Sequence, residues 1–151
     1  MATNPDWKEF VELLNSRKAE YVIVGAIALS WHGYSRYTGD LDVLLRPAAA
    51  NAHAVLAALA GFGFGSLAIS VSDLTSPDRV IQLGHPPARI DLLTSISGVS
   101  FDEVWAGRAT GEFGGVPASY IGLAELLRNK RSTGRAKDAG DAEELTRRRR
   151  A

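Results

Sequence analysis

The chain reads as one domain of mixed α/β (α+β) class, a small mixed β-sheet flanked by helices. Three observations predict it. Short apolar and β-branched runs alternate with stretches of helical periodicity. Its 151 residues, 46% of them hydrophobic and 23% charged, suffice for a single core and sit near the globular average. No internal repeat or long linker divides the sequence, so residues 1–151 are taken as one domain with its core at about 20–145.

The elements follow in order. Asn4 can cap a helix, Pro5 suits the first helical position, and Asp6 favours the positive end of the helix dipole. Trp7, Phe10, Val11 and Leu14 then recur at helical spacing and make one apolar stripe. The run Tyr21-Val22-Ile23-Val24 is short, aromatic and β-branched, and Gly25 closes it; this is the pattern of a buried strand. A short helix is expected through Ala26-Ile27-Ala28-Leu29, ending near Gly33. Asp40-Leu41-Asp42-Val43-Leu44-Leu45 is the next strand, stopped by Pro47. Residues 47–59 are alanine-rich and helical, with Gly61 as the C-terminal stop. Residues 61–78 carry Gly and Ser and read as loop with room for one short element. Two strands, 79–83 and 89–93, flank the His85-Pro86-Pro87 turn. A helix over 101–105 follows the polar stretch 97–100, Gly114-Gly115 signals a hairpin within 112–120, and helices over 121–130 and 137–148 close the chain.

Composition narrows the function. Acidic and basic side chains balance at 17 each, so no whole-surface field gathers nucleic acid or anionic lipid, and an anionic ligand has to be held by a local site. The lack of cysteine excludes disulfides, thiolate zinc sites and cysteine nucleophiles. The first residues lack the basic-then-apolar order of a signal peptide, and no apolar run approaches the roughly 20 residues needed to span a bilayer. A cytoplasmic location and no membrane partner are therefore expected.

The chemistry is carried by carboxylates. Asp40 and Asp42 are two apart in a strand, so both point to one face, while Leu41, Val43 and Leu45 point into the core. Side-by-side carboxylates repel and stay ionised cheaply only with a cation between them, and a hard, oxygen-liganded ion such as Mg²⁺ (or Mn²⁺) suits them. In Ala88-Arg89-Ile90-Asp91-Leu92-Leu93, Ile90 and Leu92 face one side and Arg89, Asp91 and Leu93 the other. If this strand lies beside the first, three carboxylates converge. Such a trio can hold two divalent ions about 3.5–4 Å apart for in-line phosphoryl displacement. One carboxylate can then take the proton of the attacking hydroxyl. The competing assignment has Asp40 capping the turn after Gly39, Asp42 paired with Arg36, and Asp91 neutralising Arg89.

Gly25 ends a strand and opens a helix, which puts backbone N–H groups where an anion can bind, or else simply ends the strand. The order of these parts, from Tyr21-Val22-Ile23-Val24-Gly25-Ala26-Ile27-Ala28-Leu29 to Arg36-Tyr37-Thr38-Gly39-Asp40-Leu41-Asp42 and then Asp91, resembles the minimal nucleotidyltransferase superfamily. Its pattern is a glycine and a small residue, a spacer, Asp-x-Asp and a later third carboxylate. Arg135-Ala136-Lys137-Asp138-Ala139-Gly140-Asp141 resembles the Arg-x-Lys-Asp-x-x-Asp motif of the AbiEii-type branch, toxins of type IV toxin–antitoxin pairs and their relatives.

The resemblance implies a nucleotidyltransferase fold and a set of roles. Asp40 and Asp42 would bind Mg²⁺ and, with Gly25 and Ala26 at the turn, the triphosphate of an NTP such as ATP. Asp91 would complete the metal cluster and act as base. Arg36 and Thr38 would contact phosphate or acceptor, and Lys130 and Lys137 would offset triphosphate charge. Asp138 and Asp141, three apart on one helix face, would orient Lys137 or contact the nucleotide, or else be an ordinary solvated helix start. The implied reaction moves a nucleoside monophosphate from an NTP to a hydroxyl of RNA (tRNA among them), a protein or a small molecule, with a cognate partner protein as in a toxin–antitoxin pair. The superfamily commonly has Ser, Gly or Thr after the glycine; Ala26 keeps the backbone N–H but offers no hydroxyl. That departure favours the alternative, a weak or inactive module that binds nucleotide or partner without turnover. His32 reads as a packed or capping residue, His53 as exposed, and His85 as a turn residue without companions at ligand spacing. The arginine run 147–150 reads as a solvated terminus.

Overall fold

A computed structural model describes residues 4–35, 37–65 and 67–150. The elements run α1 (Pro5–Ser16), β1 (Tyr21–Val24), α2 (Gly25–Trp31), β2 (Asp40–Leu45), α3 (Ala49–Gly61), α4 (Val71–Thr75), β3 (Val80–Leu83), β4 (Arg89–Leu93), α5 (Phe101–Ala106), β5 (Ala109–Phe113), β6 (Val116–Tyr120), α6 (Leu123–Ser132) and α7 (Ala136–Arg150). The fold is mixed α/β, as expected. The strands form one six-stranded sheet in the order β3-β4-β2-β1-β6-β5. β1 runs antiparallel to β2 and parallel to β6, and β2 runs parallel to β4. The hairpins β3–β4 and β5–β6 complete the two edges.

Local sequence explains the elements that place the site. Asn4 caps α1 by accepting from the N–H groups of Asp6 and Trp7 at 2.8 and 3.4 Å. The α1 stripe of Trp7, Phe10, Val11 and Leu14 is buried, against α3 and β6. All four residues of β1 are buried, as befits a central strand. In β2 and β4 the period of two sorts the faces: Leu41, Val43, Ile90 and Leu92 enter the core, and the aspartates take the opposite face.

Two helix ends differ from expectation. α3 runs through Gly61 to a cap at Phe62, and the left-handed residue is Gly63, with φ +94°. Gly61 therefore does not stop the helix; its side is pressed on Leu13, 3.2 Å from where a Cβ would stand. β5 begins at Ala109, three residues before the expected hairpin arm, because Gly111 lies under the indole of Trp31 and tolerates that approach. Trp31 in turn stacks on Tyr120 at 4.6 Å and 8°. Asn51, inside the alanine-rich helix, ties the sheet to α3. It accepts from the N–H of Glu20 and donates to the carbonyls of Glu20 and Arg46. Among the described residues no helix is long and apolar enough to cross a membrane.

Candidate active site

The register of β2 and β4 decides the geometry. Asp40 is opposite Arg89 and Asp42 is opposite Asp91, while on its other side Asp42 is opposite Val24, the residue before Gly25. The three aspartates, drawn from two adjacent strands, thus meet at the end of β1. They open into a cleft of about 710 Å³ that is also lined by Gly25, Ala26, Tyr37 and Thr38 on one side. Lys130, Thr133, Arg135, Lys137 and Asp138 line the other.

Gly25 is a structural requirement of this cluster. Its φ is +69°, and a Cβ there would stand 2.1 Å from Oδ2 of Asp42. Any side chain would both strain the turn and displace the carboxylate. Next to it, Thr38 does not offer its hydroxyl outward. Oγ1 donates to the carbonyl of Asp40 and accepts from its N–H, both at 3.1 Å, and so fixes the start of β2.

Among the described residues, the cluster holds more negative charge than its neighbours neutralise. Arg89 bridges Asp40 and Asp91: Nη2 donates to Oδ2 of each at 3.1 and 3.3 Å. Its Nε lies 3.0 Å from Oδ1 of Asp40 and 3.1 Å from Oδ1 of Asp91, but without hydrogen-bond alignment. These two Oδ1 atoms and that Nε are buried with no hydrogen-bond partner. Asp42 is pushed up to about 7, first by burial and then by the charges of Asp91 and Asp40, with its proton shared with Asp91. Asp91 is also raised, chiefly by burial, although Arg89 pulls against it.

Among the described residues, three carboxylates with one guanidinium offer the hard oxygen donors that divalent cations take. Among the described residues no group of three or more His, Cys, Asp or Glu side chains is arranged to hold a metal ion, and Arg89 lies against Asp40 and Asp91. Their chemistry nonetheless fits the ion. The two Oδ1 atoms without a hydrogen bond and the raised Asp42 are carboxylate oxygens that their described neighbours leave unsatisfied.

The opposite wall is balanced. Nζ of Lys130 contacts Oδ1 of Asp138 at 3.2 Å and Oδ2 of Asp141 at 3.3 Å. Oδ2 of Asp138 also accepts from Oγ1 of Thr133 at 2.8 Å and Nε of Arg135 at 2.7 Å. Burial alone would raise Asp138, but the bonds from Thr133, Lys130 and Arg135 outweigh it and hold the group below its ordinary value. Asp138 and Asp141 therefore position Lys130 rather than Lys137. Asp141 is buried beside Lys130 and is not among the residues that line the cleft.

Of the residues singled out from sequence, Gly25, Ala26, Thr38, Asp40, Asp42, Asp91, Lys130, Lys137 and Asp138 all line the one cleft. Arg36 lies outside the described residues. Arg89, Thr133 and Tyr37 were passed over as site residues. Arg89 had a visible signal, two residues before Asp91 on the same strand face; Thr133 had none, because its partner Asp138 is brought to it by the α6–α7 turn. His32 is packed: Nε2 meets the carbonyl of Ile121 at 2.7 Å in a buried setting.

No protein-family model matches the chain, and no curated protein matches it significantly. The functional reading accordingly stands on the residues and their geometry.

Proposed function

We propose that the protein is a nucleotidyltransferase dependent on Mg²⁺ or Mn²⁺, moving a nucleoside monophosphate from an NTP to an acceptor hydroxyl. The observation that carries this reading is the convergence of Asp40, Asp42 and Asp91 at one end of a cleft whose far wall carries Lys130, Arg135 and Lys137. Carboxylates suit a cation, and the one positive charge left over among the described residues of the far wall, where Lys130 and Arg135 are paired with Asp138 and Asp141 and Lys137 is exposed, suits a polyphosphate, so an NTP complexed to a divalent ion matches both ends at once.

The residues would divide the work as follows. Asp40, Asp42 and Asp91 would hold the ion, which when bound neutralises charge at the α-phosphate and on the departing pyrophosphate. Lys130, Arg135 and Lys137 supply fixed positive charge for the polyphosphate, with Lys130 braced by Asp138 and Asp141. Gly25 and Ala26 let the chain pass close to the phosphates. The acceptor oxygen bonds to the α-phosphorus as the bond from that phosphorus to the bridging oxygen breaks. Pyrophosphate leaves with the electron pair. The hydroxyl proton passes to the carboxylate cluster, with Asp91 as its acceptor. The acceptor class stays open between RNA, tRNA included, a protein and a small molecule, and a toxin–antitoxin role with a cognate partner is part of the same proposal.

A second reading is favoured by two observations: Ala26 offers no hydroxyl, and Arg89 already occupies Asp40 and Asp91. It makes the chain a nucleotide-binding module without turnover. One experiment separates them. Each α-labelled NTP is incubated with the protein, Mg²⁺ and a cell extract, and label transfer is followed. Transfer that disappears in Asp42→Ala supports the enzyme. NTP binding without transfer supports the module, and no NTP or metal binding at millimolar ligand defeats both.

A further inference from the structure

Arg89 is placed unlike any other cation of the described site. Lys130 has a carboxylate for each of two contacts and sits in a charge-balanced corner. Arg89 instead lies between two carboxylates of a trio that remains overcharged, and it meets them imperfectly, with Nε buried and unaligned. Its side chain is only 27% exposed, so the contact is not a loose surface pairing. A guanidinium is a monovalent stand-in here: it satisfies the outer oxygens of Asp40 and Asp91 but leaves an Oδ1 on each without a bond. It also covers the oxygens that a divalent ion would need.

We propose that Arg89 is a built-in counter-ion that competes with the divalent cation for Asp40 and Asp91 and has to withdraw from them before the cation is fully ligated. This rests on the metal reading given above. Withdrawal leaves a guanidinium beside the cleft, where an NTP's polyphosphate is the available anion. Metal and nucleotide then assist one another: the ion displaces Arg89 from the carboxylates, and the polyphosphate gives Arg89 a new partner. The device keeps the carboxylates from being occupied by the ion alone, so that the site fills when both arrive.

The test is Mn²⁺ binding, followed by the electron paramagnetic resonance signal of free Mn²⁺, on wild type, Arg89→Gln and Arg89→Lys. With Mn²⁺ alone, Arg89→Gln binds about tenfold more tightly than wild type, because a positive charge in contact with the ligands is gone. Arg89→Lys, which keeps the charge, stays within a few-fold of wild type. A non-hydrolysable NTP analogue tightens Mn²⁺ binding more in wild type than in Arg89→Gln. Equal or weaker Mn²⁺ binding by a folded Arg89→Gln overturns the inference and leaves the metal reading standing. A residue that only grips phosphate would give that result, losing affinity solely in the presence of nucleotide. Should Arg89→Gln not fold, the nucleotide effect in wild type against Arg89→Lys decides: no tightening by nucleotide in either overturns the inference. Absence of Mn²⁺ binding in every variant overturns the metal reading and this inference with it.

Discussion

Two acidic clusters face each other across one cleft, and they are opposites. Among the described residues, Asp40 and Asp91 share the guanidinium of Arg89 beside Asp42, and Asp42 and Asp91 are raised, first by burial and then by neighbouring carboxylates. Asp138 and Asp141 share Lys130, with Arg135 and Thr133 added, and Asp138 is lowered. Asp91, Asp138 and Asp141 are buried while Asp40 and Asp42 are half-buried, so a buried carboxylate sits in each cluster and burial alone does not set them apart. Charge balance does. The helix cluster is complete as folded and serves to hold a lysine. Among the described residues the strand cluster is short of positive charge, the imbalance that the proposed cation would relieve.

The largest effect on stability should come from the balanced side. Asp138→Ala strips Lys130 of a buried partner, and a broken buried pair costs about 3 kcal/mol or more, read by urea denaturation. On the strand side, Gly25→Ala should leave the fold in place while moving the Asp42 carboxylate. A displacement of this kind lowers label transfer by about a hundredfold. Circular dichroism checks that the fold is retained, and an unchanged rate would show that Asp42 need not sit where Gly25 lets it.

Charge removal should then have opposite signs in the two clusters. Asp42→Asn relieves repulsion and should raise the melting temperature of the metal-free protein, whereas Asp138→Asn should lower it. The pH dependence follows. Asp42 has an ordinary value of 3.8 and stands at about 7 in the folded chain. Between those values the folded state holds a proton the unfolded state has released, so stability falls as pH rises from about 4 to about 7 and then levels. Asp138 is lowered, so its contribution is present above its ordinary value of 3.8 and is lost as pH falls below it. Melting temperatures should therefore fall between about pH 4 and about pH 7 in wild type, and flatten over that window in Asp42→Asn or on adding Mg²⁺. The smallest effect is Lys137→Ala. This exposed residue at the cleft should raise KM for the NTP a few-fold with kcat little changed, since it contributes charge to binding from the rim.

The strand side was legible in the amino-acid sequence and the helix side only in part, for a physical reason. A period of two assigns Asp40 and Asp42 to one face with no knowledge of neighbours, and the apolar Ile90 and Leu92 force Asp91 to the opposite side from the core. That the two strands are neighbours, in the register that sets Asp42 against Asp91, is a tertiary fact. The same register turns Arg89 toward Asp40 as well as Asp91. On the helix side, a spacing of three puts Asp138 and Asp141 on one face but does not say which lysine they meet. Gly134, at φ +75°, turns α7 back so that the partner is Lys130 from the preceding helix and not the adjacent Lys137. Gly61 and Gly63 teach the same lesson at small scale: both suit a helix end, and packing on Leu13 decides which one bends.

The contrast between the clusters has one direct measurement, the anomalous difference map of a crystal soaked in Mn²⁺ together with a non-hydrolysable NTP analogue. A peak bonded to oxygens of Asp40, Asp42 and Asp91, with Arg89 turned away from Asp40 and Asp91, is the expected result. A peak at Asp138 and Asp141, or none while Arg89 still bridges Asp40 and Asp91, would contradict the claim that the strand carboxylates are the unbalanced, cation-seeking pair of walls' active half.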